Sequence, residues 1–295
     1  FAGCLVSSGV LTANDFSPLP NIIESLRCSQ KDHFIVCDFS PPRSAKPQTL
    51  ELANSLNPDM FSVSYNPGTS VKMNPVFASF WIQKITNIPS IFTLSTNDLN
   101  IQAIEGLLLG AQSLGLNNVV FVMGDLPSRA ISTTKVLEFT KKMNQGLDIN
   151  NDKVSYATSF CIGSTIDISK DWDHEIVLTK RKIDSGSDFF IAQAQFDIAR
   201  VVRFLESYRN VTGTHIDIPI LWGVQMLAKG SGSFTNIPDN IKFDLENGKP
   251  GFDIALDIID QYFSYGITSF YLLPSFFKTG RRDYLSAGKL ISTLT

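Results

Sequence analysis

The feature that most restricts how this chain can fold is a repeated alternation. Short runs rich in Val, Ile and Phe recur eight times, each followed by a stretch of helical character. The pattern predicts strands over 34–39, 60–65, 90–95, 118–123, 154–160, 188–193, 219–224 and 268–273. Most of these runs are continuously apolar, as parallel strands covered on both faces require. Glycines punctuate the helices between them: Gly115 after 101–114, Gly186 after 176–185 and Gly266 after 254–265 read as C-caps. Repeated βα units impose right-handed crossovers, and eight of them favour a closed (β/α)8 TIM barrel over an open sheet. The expected organisation is a single 34–295 barrel domain carrying an extra N-terminal helical segment, 1–33, on its outside or bottom.

Chemistry in such a barrel belongs at the C-terminal ends of the strands. In Cys37-Asp38-Phe39-Ser40-Pro41-Pro42-Arg43 the Pro-Pro pair stops the first strand and leaves Asp38 at its lip. Asp38 there either faces the reaction site or only caps the loop and pairs with Arg43. Ser64 and Tyr65, Ser95 and Thr96, Asp125, Gln193 and Gln225 fall at the ends of other strands. Together they describe a cup of carboxylates, amides and hydroxyls suited to acid catalysis on a neutral or heteroaromatic ring. Gly124, before Asp125, permits close approach of a ligand to the backbone. The segment 230–238, which contains Phe234, is the most loop-like stretch after a strand and reads as a lid or substrate loop.

Composition removes other classes. The formal charge of -3 is spread along 295 residues with no basic block, so neither nucleic acid nor a membrane surface is an expected partner. No run approaches the length of a membrane span. The four cysteines and three histidines lack metal-ligand spacing, so no metal is expected and the thiols read as buried and reduced. The expected location is cytoplasmic. The start at Phe1, without an initiator Met, reads as a trimmed or partial N-terminus.

Five segments, in order and at matching separations, resemble the methylenetetrahydrofolate reductase family of flavin-dependent barrels. Asp38-Phe-Ser-Pro-Pro-Arg43 is similar to the family's Glu-Phe-Phe-Pro-Pro-Arg, and Phe61-Ser-Val-Ser-Tyr65 to its Val-Ser-Val-Thr-Tyr. The stretch from Leu114 to Met123-Gly-Asp-Leu-Pro127 resembles one ending in Arg-Gly-Asp-Leu-Pro. Lys180-Arg-Lys-Ile-Asp-Ser-Gly186, Gln193 and Phe196-Asp197 resemble Lys-Arg-Lys-x-Asp-Ala-Gly, Gln and Phe-Asp. Phe270-Tyr-Leu-Leu-Pro274 resembles the last strand of reductase domains fused to homocysteine methyltransferases.

The resemblance implies a reductase that converts 5,10-methylenetetrahydrofolate to 5-methyltetrahydrofolate with NAD(P)H through FAD, in the one-carbon metabolism that leads to methionine. Asp38 takes the place of the acid, Gln193 that of the pterin's hydrogen-bond partner, and Asp125 lies between pterin and flavin. The flavin would be held by Ser64, Tyr65, Ser95, Gly124, Asp125, Phe160, Glu175 and Lys182, and the folate by Gln193, Gln225 and Phe234. A homo-oligomer or partner subunit is compatible with this reading. The departures are Asp38 for Glu, Thr93-Leu-Ser-Thr96 for His-Leu-Thr-Cys, Met123 for Arg, Ala194 for an aromatic, and no His-Pro in 160–164. They fall mainly on flavin-associated positions. They leave open a flavin-independent reductase with direct hydride transfer, and a non-catalytic folate-binding or regulatory paralogue.

Overall fold

The computed structural model describes residues 16–67, 70–124, 131–169 and 171–294; Asp125, assigned above to the site, lies outside them. Eight strands close into a barrel in chain order, and every pairing is parallel. They are β1 (Phe34–Phe39), β2 (Met60–Val63), β3 (Ser90–Ser95), β4 (Asn118–Val122), β5 (Cys161–Ile166), β6 (Phe189–Ala192), β7 (Ile220–Gln225) and β8 (Ser269–Leu273). The outer layer is formed by α2 (Pro75–Thr86), α3 (Ile101–Ser113), α4 (Thr133–Asn144), α5 (Trp172–Asp184), α6 (Ile198–Thr212), α7 (Asp239–Glu246), α8 (Gly251–Ser264) and α9 (Tyr284–Leu294). Between β1 and β2 the crossover is a 3-10 stretch, Pro47–Ser55. Gly115, Gly186 and Gly266 follow their helices at φ values of 75°, 101° and 72°, the left-handed geometry expected of them.

One strand departs from the sequence reading: the fifth lies at Cys161–Ile166, not at 154–160. Its centre, Gly163-Ser164-Thr165, is small and polar where an apolar run is expected. The reason is tertiary. A Cβ on Gly163 would stand 2.4 Å from the Phe189 ring, so the aromatic of β6 fills the interior space that β5 leaves. Further along β5, Thr165 lines a cavity rather than the core.

The alternation of side chains along a strand sorts the interior into two zones. Phe34, Val36, Met60, Ile91, Val120, Phe189, Ile191 and Leu221 pack together as an apolar floor. Above it, the next inward positions are polar: Asp38 on β1, Ser62 on β2, Thr93 and Ser95 on β3, and Thr165 on β5. The opposite mouth is closed by α1 (Ile22–Cys28), started by a capping box between Asn21 and Glu24. Ile22 is fully buried in the same apolar cluster, and its N–H donates to Asn118 Oδ1 at 2.8 Å. Cys37 and Cys161 are buried and reduced, with the Cys161 thiol pushed up to about 12 by burial; Cys28, against expectation, is exposed.

Candidate active site

A cavity of about 960 Å³ opens at the C-terminal ends of the strands. Asp38, Ser64, Tyr65, Ser95, Gly124, Glu175, Lys182, Gln193 and Phe234 all line it, brought together from seven strands and the segments that follow them. Phe160 does not line it: it is buried in the outer core, edge-on to Phe92 at 5.9 Å. Gln225 does not line it either. Its Nε2 donates to the Gly232 carbonyl at 2.9 Å, and its Oε1 accepts from the Phe234 N–H at 3.1 Å and the Ser233 hydroxyl at 3.2 Å. Gln225 thus fastens the 232–234 loop and presents Phe234 to the cavity.

On the β1–β8 side the centre is Asp38, 2 % exposed. The Tyr271 hydroxyl donates to its Oδ1 at 2.7 Å, and Arg282 Nη2 lies 3.4 Å from its Oδ2. Burial, followed by the Asp38 charge, raises Tyr271 well above the ordinary tyrosine range, so this phenol remains a donor. The Arg282 guanidinium is 5.1 Å from the Phe276 ring centroid and 5.9 Å from that of Phe234, and those rings are 4.5 Å apart. Oδ2 accepts no hydrogen bond from the described residues. Asp38 therefore has Oδ1 fixed by a hydrogen bond, while Oδ2 faces only the charge of Arg282.

The β4–β5 side is built differently. Glu175 and Lys182, both on α5, form an ion pair at 3.5 Å with side chains only 9 % and 8 % exposed. The Lys182 ammonium also donates to the Thr165 carbonyl. Burial raises the Glu175 carboxyl, and the Lys182 charge offsets this only in part. Gly124 adopts φ +94°, and a Cβ there would meet Ser95 Oγ at 2.4 Å, so the backbone itself forms this wall. Met123, standing where the related motif has Arg, is 63 % exposed. Tyr65 is raised by burial and then by the Asp98 charge.

Residues not singled out from sequence are Tyr271, Arg282, Ser62 and Thr165. Tyr271 carried a signal: in Ser269-Phe-Tyr-Leu-Leu273 it occupies the inward position of β8, two residues short of the strand end. Arg282 carried none, because it lies in a loop without periodicity.

The family model "Methylenetetrahydrofolate reductase" matches residues 23–245. "Methylenetetrahydrofolate reductase 2" of Schizosaccharomyces pombe is 21% identical over 207 residues, which cover 64% of this chain and 32% of that protein. This chain thus spans about a third of that relative's length. "5,10-methylenetetrahydrofolate reductase" of Buchnera aphidicola is 22% identical over 275 residues, covering 86% of this chain and 88% of that one. Among solved structures, an uncharacterized protein from Clostridium thermocellum that binds two copies of 5-methyl-5,6,7,8-tetrahydrofolic acid superposes with a TM-score of 0.68. Its sequence identity is 15%, and the match covers 92% of this chain and 98% of that one, so the likeness supports the fold. With a family match that runs from α1 through α7 and a closed parallel barrel of eight strands, this chain belongs to the methylenetetrahydrofolate reductase family.

Proposed function

We propose that this protein reduces 5,10-methylenetetrahydrofolate to 5-methyltetrahydrofolate with NAD(P)H through FAD, and that Asp38 supplies the proton. The observation that carries the reading is the shared cavity: Asp38, with one oxygen free of hydrogen bonds, lines the same space as Gln193 and Phe234. Opening the five-membered ring breaks a C–N bond, and the departing nitrogen takes a proton. The exocyclic carbon is left as an iminium, which hydride converts to the methyl group. Tyr271 fixes Oδ1 and with it the orientation of the Asp38 carboxyl toward a ring that Gln193 would align through its amide. Phe234 offers a face on which the aryl portion of a folate stacks.

The residues of the β4–β5 side fit a flavin. The cavity volume lies at the upper end for ligand sites, enough for two stacked ring systems. Its wall there combines the bare backbone at Gly124 with the hydroxyls of Ser95, Thr133 and Thr165. These groups and the Glu175–Lys182 pair would hold the ring edge and the sugar-phosphate portion. FAD, when bound, would accept hydride from the nicotinamide and pass it to the folate carbon. The chain's own contribution is to orient the two rings, exclude water and deliver the proton.

A second reading, direct hydride transfer from the nicotinamide without flavin, is favoured by one observation. The Lys182 ammonium is already engaged by Thr165 and Glu175, and Arg is replaced by the exposed Met123. An absorbance scan of the purified protein, followed by NADH and NADPH oxidation assays with methylenetetrahydrofolate, separates the two. A flavin spectrum with folate-dependent oxidation supports the first reading, and oxidation by a colourless protein supports the second. Folate binding without oxidation of either nicotinamide refutes both.

A further inference from the structure

Arg282 lines the β1–β8 side of the cavity, and Lys72, from the loop between β2 and α2, follows Val71, which also lines it. Arg43, exposed after the Pro-Pro turn that follows β1, lies near enough for its charge to act on Lys72. Lys72 is held rather than free to wander. Its Nζ donates to Ser40 Oγ at 2.7 Å, its N–H donates to Asn66 Oδ1 at 2.9 Å, and the next residue's N–H donates to the Pro42 carbonyl at 3.0 Å. Ser40 is fixed in turn, its N–H donating to the Tyr284 hydroxyl at 2.9 Å.

Among the described residues Lys72 forms no ion pair. It is half-buried, and the charges of Arg282 and Arg43 act on it against a single carboxylate, Asp38. Asp38 is already engaged by Arg282 and Tyr271. A partly desolvated cation with no ion-pair partner among the described residues, fixed near two others, offers a place for an anion. The Phe234–Phe276 pair borders the same corner, so a ligand that lays an aryl ring on Phe234 brings a charged substituent of that ring toward the cluster.

We infer that Lys72, with Arg43 and Arg282, forms an anion subsite that takes the carboxylate-bearing tail of the folate as it leaves the ring-binding part of the cavity. The inference rests on the folate reading above and adds to it the residues that would read the tail. The same chemistry would suit the phosphate of a nicotinamide dinucleotide, and the test separates the two sources.

Binding is measured by calorimetry for wild type, Lys72→Met and Lys72→Ala. The ligands are 5-methyltetrahydrofolate, 6-methyltetrahydropterin (which has no carboxylate), NADH and NADPH. Methionine retains the length of the lysine stem, so Lys72→Met removes the charge with little change in packing. The expected result is that Lys72→Met weakens folate binding about tenfold, the weak end of a charge-assisted hydrogen bond, and flattens its salt dependence. Pterin and nicotinamide affinities should stay at wild-type values. Equal loss for folate and pterin, or unchanged folate affinity, overturns the subsite. Weakened NADPH binding with unchanged folate binding overturns the carboxylate assignment. A wild-type protein that binds the pterin as tightly as the folate overturns the subsite alone, whereas one that binds neither removes the folate reading and the subsite with it.

Discussion

Asp38 and Arg282 should behave as one energetic unit. The two are 2 % and 7 % exposed as side chains, with Oδ2 and Nη2 3.4 Å apart. At an effective dielectric of about 20 that separation corresponds to roughly 5 kcal/mol of attraction, and removing one partner of a buried pair typically costs about 3–5 kcal/mol. The two single variants should differ within that range. Asp38→Asn leaves Arg282 supported by the Phe276 and Phe234 rings, so its loss should be near 3 kcal/mol. Arg282→Met leaves a buried carboxylate with only the Tyr271 hydroxyl, so its loss should be nearer 4 kcal/mol. The double variant buries no uncompensated charge and should fall short of the summed losses by about 2 kcal/mol or more. Urea unfolding followed by far-UV circular dichroism measures all four proteins. Losses that add to within about 0.5 kcal/mol would show that the pair is not coupled and that the argument from its burial is wrong. The same Asp38→Asn protein should bind folate but not reduce it, and unchanged turnover would remove Asp38 from its proposed role.

Three further outcomes follow from the packing. Glu175→Gln should destabilise the fold by about 3 kcal/mol, because the buried Lys182 ammonium loses the carboxylate it faces at 3.5 Å. The Glu175 carboxyl is raised in the folded state, so protons bind it more readily there than in the unfolded chain. Wild type should therefore gain stability relative to Glu175→Gln as pH falls through the raised value, levelling off below the ordinary glutamate value; a difference independent of pH would contradict this. Gly163→Ala would drive a methyl into the Phe189 ring and should cost about 1–3 kcal/mol, read as a lowered unfolding midpoint; a neutral result would mean that β5 and β6 repack freely. Gln225→Ala cuts three hydrogen bonds to the 232–234 loop and should speed proteolysis there while weakening ligand binding, whereas wild-type protease resistance would show that the loop is held by other contacts.

The barrel was largely legible in the sequence because parallel strands covered on both faces must be apolar, and seven of them read as such. The eighth case shows where that logic fails. The inward positions Gly163 and Thr165 of β5 are small or polar since a ring from β6 occupies the interior space and the upper end borders a cavity, and neither condition is local. The Pro-Pro stop placed Asp38 at a strand lip, but its loop neighbour Arg43 is exposed, and the charge that meets it is Arg282, from a loop after the last strand. Gln193 and Gln225 looked equivalent at the ends of β6 and β7. One lines the cavity, while the other turns to hold the loop that follows it, which no pattern of residue types distinguishes.

The sequence by itself determined the closed parallel cylinder and the place of Asp38 at one rim of it, because strand alternation and proline stops act over a few residues. Only the tertiary structure decided the partners of that acid and the cation cluster near it. Arg282, Lys72 and Tyr271 reach Asp38's neighbourhood from separate parts of the chain, and their effect depends on distance and burial, which are properties of the folded molecule.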